Sequence, residues 1–118
     1  MKWWQLYLKT AWALKNPFVI PIDLNYKRIS LDDLSVLFQY EQLPYMADFY
    51  DCDDFALVFK ASASKLEFNT VGLVIGLLDG KWHVWNCAVC DEGVFQIEPQ
   101  QARVFKRDSK YKPVGVII

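Results

Sequence analysis

From residue 71 onward the hydrophobic positions come in short runs broken by turn residues. Val71-Gly-Leu-Val-Ile-Gly-Leu-Leu78 is apolar throughout, Asp79-Gly80 interrupts it, and Lys81-Trp-His-Val-Trp-Asn-Cys87 resumes it. Asp-Gly between two apolar runs suits a two-residue turn, so this stretch predicts a β-hairpin. Val94–Glu98 follows the turn Cys90-Asp-Glu-Gly93 as a third strand, and Ala102–Lys106 and Val114–Ile118 extend the series as a fourth and fifth. The first half of the chain has another texture. Trp4, Leu8, Ala11, Trp12 and Lys15 recur at helical spacing within residues 2–15, and Asn16-Pro17 stops the pattern. Phe18–Tyr26, with Pro21 inside it, reads as extended edge-like chain. Ser30 is placed as the N-cap of a helix over Leu31–Gln39, with Asp32 and Asp33 in its first turn and Leu34, Leu37 and Phe38 facing inward. Asp51 repeats that signature ahead of Phe55, Leu57, Val58 and Phe59. Helices first and an antiparallel β-meander last describe an α+β fold.

With 118 residues, 53% of them hydrophobic and 16% aromatic, the chain can build a real core, and one domain over residues 1–118 is expected. A net charge of −1, with acids and bases mixed, leaves no basic face of the kind nucleic acid requires. No apolar run approaches the ~20 residues of a bilayer span. The opening Met1–Lys9 lacks a small-x-small cleavage site and reads as part of the mature fold. Three cysteines cannot all pair within the chain, so reduced thiols and a cytoplasmic setting are expected.

Cys52 directly follows the proposed cap Asp51. Unpaired backbone N–H groups at a helix start favour a thiolate and can later hold an oxyanion. Against this, Asp51, Asp53 and Asp54 surround the sulfur with negative charge, which raises a thiol pKa. The bland alternative is a small apolar residue filling a helix–sheet contact. His83, the chain's single histidine, lies in the second strand of the hairpin. Pairing across Asp79-Gly80 sets it opposite Gly76, which leaves an open neighbour on its face. The next hairpin sets Glu98 opposite Trp85 and diagonal to His83, on the same face, because side chains alternate along a strand. Glu98 is therefore the expected orienter of the imidazole, ahead of Asn86 on the opposite face. A zinc site built from His83, Cys87, Cys90 and Cys52 is set aside: His83 and Cys87 would stand roughly 13 Å apart along a strand.

The segments Ala47-Asp-Phe-Tyr-Asp-Cys-Asp-Asp-Phe-Ala56, Trp82-His-Val-Trp-Asn86 and Phe95-Gln-Ile-Glu-Pro-Gln100 resemble the papain-like C-terminal domain of Marasmius oreades agglutinin and the small bacterial and phage proteins related to that lectin. The resemblance covers about residues 18–118 and implies a minimal papain-like fold, with N-terminal helices packed on the meander. It implies a cysteine peptidase with a Cys52–His83–Glu98 triad, calcium-dependent activity with calcium on Asp51, Asp53 or Asp54, a peptide or protein substrate and homodimerisation. Calcium would also offset the three carboxylates around the sulfur. The sugar-binding β-trefoil of the lectin has no counterpart here, so carbohydrate binding is not carried over.

In that reading the Cys52 thiolate attacks a carbonyl, His83 shuttles the proton and Glu98 holds the tautomer. Gln39 or Gln42 would supply an oxyanion donor, and Trp82 and Trp85 would form site walls. Two other readings stand beside it: a peptidoglycan amidase of the NlpC/P60 or CHAP type, and a non-catalytic phage or bacterial accessory or binding module that keeps the fold.

Overall fold

A computed structural model describes residues 1–39 and 44–118 of the chain. Helix α1 (Trp3–Leu14) is followed by the short strand β1 (Val19–Ile20), helix α2 (Leu31–Leu37) and helix α3 (Cys52–Lys65). Strands β2 (Val71–Leu78), β3 (Lys81–Cys90), β4 (Gly93–Glu98), β5 (Arg103–Phe105) and β6 (Tyr111–Ile117) complete the chain.

The local signals act as expected. Asp79 and Gly80 take positive φ values of 51° and 79°. The turn fixes the β2–β3 register at Leu78↔Lys81 and Gly76↔His83. Ser30 Oγ accepts the Asp33 N–H at 3.0 Å and caps α2. Helix α2 stops at Leu37, two residues short of the expected Gln39.

The expected architecture, a papain-like α+β fold with helices on an antiparallel meander, needs correction. All six strands form one mixed sheet in the order β1-β6-β2-β3-β4-β5. After β5 the chain turns at Asp108, whose Oδ1 accepts the Lys110 N–H at 3.0 Å and whose carbonyl accepts the Tyr111 N–H at 3.0 Å. It then crosses to the far side of the hairpin, where β6 runs antiparallel to β2 and parallel to β1. The Phe18 and Ile20 carbonyls accept the Val116 and Ile118 N–H groups at 2.8 and 3.0 Å and close that edge.

The helices also do not share one layer. Alternate residues of β3 enter different cores. Trp85, Cys87 and Val89 pack with Leu6 and Leu14 of α1, whereas Ala88 and Cys90 pack with Leu34 and Leu37 of α2 and Phe59 of α3. The central strand is thus apolar on both faces because helices cover both.

Helix α1 buries a stripe other than the one its spacing suggested. Leu6, Thr10 and Leu14 face the sheet, at i, i+4 and i+8, while Trp4, Leu8 and Trp12 are exposed. Both stripes of this helix carry large apolar residues, so the helical period alone does not choose between them.

Candidate functional site

Cys52 opens α3, with Asp53 and Asp54 in the first turn and Asp51 as the cap. The Asp51 N–H donates to Asp54 Oδ2 at 3.1 Å. Burial pushes the Cys52 thiol above its ordinary pKa, the Asp51 and Asp53 charges push it further, and the Val84 backbone N–H opposes them only in part. A hydrogen bond shared with Asp53, with the neighbouring charges, lifts the Asp51 carboxyl to about 6. The sulfur is therefore held as a thiol, beside the residue that follows His83 in sequence. Among the described residues it makes no hydrogen bond to the His83 imidazole.

His83 and Glu98 do meet. His83 Nε2 lies 2.5 Å from Glu98 Oε1, and the Tyr111 hydroxyl donates to the same oxygen at 3.0 Å. An oxygen serving two partners is matched by an Nε2–H tautomer, an assignment made from the network. Tyr111 is pushed up to about 12, first by burial and then by the Glu98 charge. The indole of Trp85 stacks on the His83 ring at 5.9 Å, and its edge-on contact with Tyr111 is at 5.1 Å. This group ties β3, β4 and β6 together.

The other expected site residues separate. Trp85 is fully buried, and its Nε1–H donates to Gln96 Oε1 at 2.9 Å, so it offers no open wall. Trp82 is 69% exposed. Gln42 lies outside the described residues. Asn86 faces α3, as strand parity requires: its Nδ2 donates to the Ala56 carbonyl at 2.9 Å and the Gly72 carbonyl at 3.0 Å. The position opposite His83 is not open, because a Cβ on Gly76 would stand 2.7 Å from Trp85 Cη2. Cys87 and Cys90 are buried thiols pushed up to about 12 by that burial. Asp51, Asp53 and Asp54 do converge, with carboxylate oxygens within 4.8 Å of one another.

Sequence reasoning missed a second region, between α1 and the β3–β4 end of the sheet. Lys9, Trp12, Arg28, Asp91, Lys106 and Arg107 rim a cavity of about 340 Å³ floored by Val89, Cys90 and Val94. Trp12, 83% exposed, and Arg107 also line an adjoining cavity of about 360 Å³ with Ala11 and Lys15. The available signal was the surplus of aromatics on α1, which has more large apolar residues than one buried stripe can absorb.

No protein-family model matches the chain, and no curated protein matches it. Solved structures do. One titled as a PSL1a–E64 complex superposes with a TM-score of 0.86 at 24% identity over 100% of this chain. A second, of Polyporus squamosus lectin bound to Neu5Acα2-6Galβ1-4GlcNAc, superposes with a TM-score of 0.80 at 24% identity over 97%. The chain shares its fold with part of a lectin. It spans about half the length of those solved chains, 51% and 46%.

These matches correct the functional expectations. The matched structures carry the name of a lectin and not of a peptidase. On that finding the papain-like protease-domain resemblance, the cysteine-hydrolase activity on a peptide substrate and the amidase alternative are withdrawn. Among the described residues no helix is long and apolar enough to cross a membrane.

Proposed function

We propose that the chain is a non-catalytic binding module that takes a carbohydrate, with Trp12 as the stacking platform. The observation that carries this reading is the exposure of Trp12 at the shared wall of two cavities, the larger of them lying between α1 and the β3–β4 end of the sheet. An indole held in water gives up hydrophobic burial that it would normally gain in a core. Its flat apolar face suits the C–H face of a sugar ring, while the surrounding Lys, Arg and Asp side chains suit the hydroxyls. The glycan named with the similar lectin structure supports the same class of ligand.

The test is a glycan array and titration calorimetry on the whole chain, using that sialylated trisaccharide as the first probe. Trp12→Ala should weaken binding by about tenfold or more, equal to about 1.4 kcal/mol. Trp82→Ala, on an exposed indole remote from α1 in sequence, should leave binding within about twofold. Absence of binding by the wild-type chain, or indifference to Trp12→Ala, would sink the reading.

A calcium ion at the start of α3 is a separate part of the proposal. Asp51, Asp53 and Asp54 would hold it, and their chemistry fits, since three hard oxygen donors converge at the start of α3. When bound, the ion would supply charge neutralisation at the start of α3.

A further inference from the structure

Trp4, Leu8 and Trp12 recur every fourth residue along α1, on the side of the helix away from Leu6, Thr10 and Leu14, which face the sheet. Trp3, Trp4 and Leu8 are 45%, 50% and 57% exposed, and Trp12 more so. The Leu24 carbonyl accepts the Trp3 N–H at 3.0 Å, which sets a fifth large apolar side chain, 74% exposed, at the start of the helix. Single exposed apolar residues are ordinary on a folded protein, but a run of them along one helix marks an interaction surface. The carbohydrate reading uses only Trp12, at one end of this run.

The charge along the run is of one sign. Residues 1–22 hold Lys2, Lys9 and Lys15 and no aspartate or glutamate, on a chain whose net charge is −1. At the Trp12 end, Arg28, Lys106 and Arg107 join Lys9 around the cavity against a single carboxylate, Asp91. Neighbouring acids are engaged elsewhere: Glu92 Oε2 accepts the Leu31 N–H at 3.0 Å, and Asp108 pairs with Arg103 at 2.9 Å. Among the described residues, Lys9, Lys15, Arg28, Lys106 and Arg107 form no ion pair. A second copy of the chain is a poor match, because a two-fold interface sets like patches, and so these cations, against each other. An anionic lipid surface matches both parts. Indoles settle at the membrane–water boundary, and lysine and arginine heads beside them reach the lipid phosphates. Helix α1 has 12 residues, about 18 Å at ~1.5 Å per residue, so it can lie along a bilayer surface but not span the hydrocarbon core.

We propose that the exposed face of α1 docks on an anionic bilayer surface, with Trp3, Trp4, Leu8 and Leu24 entering the interface and Lys9 and Lys15 meeting lipid headgroups. The inference goes beyond the carbohydrate reading and stands without it. Each cation brought to such a surface strengthens binding by about fivefold, and the effect weakens with salt. The indoles and leucines add an apolar part that salt does not screen. Neither part alone holds a short helix firmly, and α1 carries both.

The test is co-sedimentation of the whole chain with sugar-free vesicles, of phosphatidylcholine alone and of phosphatidylcholine with about 30% phosphatidylserine. The wild-type chain should bind the anionic vesicles at least about tenfold tighter, with a blue shift of tryptophan emission and a preference that shrinks as salt rises. Trp4→Ala with Leu8→Ala should weaken vesicle binding by about tenfold or more while leaving Trp12 in place. Lys9→Glu with Lys15→Glu should abolish the preference for the anionic vesicles. All four residues are exposed, so the fold should survive, and an unchanged thermal midpoint verifies it. The comparison of the two vesicles decides the matter without any variant. Trp82→Ala, on an exposed indole outside α1, should bind vesicles as the wild type does. Failure to bind either vesicle, equal binding to both, or indifference to the loss of Trp4 and Leu8 overturns the proposal. So does self-association in lipid-free buffer that Trp4→Ala with Leu8→Ala removes, since a second copy would then cover the face. The vesicles carry no glycan, so each of these results leaves the carbohydrate reading to its own test.

Discussion

Replacing Gly76 by alanine tests how tightly the centre of the sheet is closed. Gly76 pairs with His83 on one side and with Pro113 on the other, at the irregularity where the β2–β6 register shifts. A Cβ built there would lie 2.2 Å from the Lys112 carbonyl oxygen and 2.7 Å from Trp85 Cη2. Ordinary contact begins at 3.4 Å, so β2 and β6 must part by about 1.2 Å or the Trp85 ring must turn. The ring has little freedom, since its Nε1–H is tied to Gln96 and its faces meet His83 and Tyr111. Parting the strands strains one or two ladder hydrogen bonds, each worth about 1 kcal/mol, and crowding a packed core adds about 1–3 kcal/mol. The expected loss is about 2–4 kcal/mol, a fall in thermal midpoint of roughly 8–16 °C for a domain of this size. Urea unfolding followed by far-UV circular dichroism measures the first, and the near-UV signal should change because Trp85 moves. Gly80→Ala is the control: nothing lies within 4 Å of its Cβ, and only its φ of +79° opposes the change. It should cost about 1 kcal/mol. A loss below about 0.5 kcal/mol in Gly76→Ala would refute the close approach of β6 and Trp85.

Three further outcomes follow from the titrating groups and one from a buried amide. Cys87, Cys90 and Tyr111 are each raised to about 12 in the fold, so the folded state favours their protonated forms. Their contribution is complete below the unfolded pKa values and is lost as pH rises through the folded ones. Stability should therefore fall from about pH 9 toward 12, by up to about 1.4 kcal/mol per pH unit for each group, and a flat urea midpoint between pH 8 and 10.5 would contradict this. Iodoacetamide labelling of Cys52 should show an inflection above the ordinary thiol pKa of about 8.5, moving down when calcium is added, and an inflection below pH 8 without calcium would remove the acidic environment drawn around the sulfur. Asp51, raised to about 6, favours its protonated form in the fold, and that contribution is lost as pH rises from the ordinary carboxyl range through 6. Calcium should accordingly raise the thermal midpoint at pH 7 and not at pH 5, and equal effects at both would argue against the α3 site. Asn86→Ala removes donors to Ala56 and Gly72 at a fully buried position and should cost about 1–3 kcal/mol by urea unfolding.

What the sequence disclosed was what short-range rules govern. The hairpin register came from two turn residues, and the side-chain period of two then placed His83 and Glu98 on one face, where they are in contact. The position of β6 was not legible. Its partner strand lies far back in the chain, with Leu73 pairing to Ile117, and no local signal distinguishes an outer strand of a meander from one inserted beside β2. Gly76 shows a related limit. Its missing side chain suggested space for His83, yet the Trp85 ring and the Lys112 carbonyl of β6 occupy that space. On α1 the difficulty was degeneracy: two apolar stripes compete, and the sheet takes Leu6, Thr10 and Leu14. Only the tertiary structure puts Trp12 in water.

Residue type drew attention to the thiol, the imidazole and the carboxylate, but partners and exposure decide what such groups can do. Glu98 Oε1 already serves His83 and Tyr111, Trp85 covers one side of the imidazole, and Cys52 is held protonated by burial and its acidic neighbours. Those contacts bind three strands together through Glu98 Oε1, while Glu98 Oε2 stays buried without a hydrogen-bond partner among the described residues. Around Trp12, between α1 and the β3–β4 end, the balance is reversed. An indole lies exposed in solvent, and four cationic heads around it have no ion-pair partner among the described residues. Unsatisfied apolar area and unpaired charge are where an external ligand gains most, because binding then adds contacts without first breaking any. In the proposed binding reading, recognition lies beside the helix that covers the sheet, and the His83–Glu98–Tyr111 cluster links β3, β4 and β6.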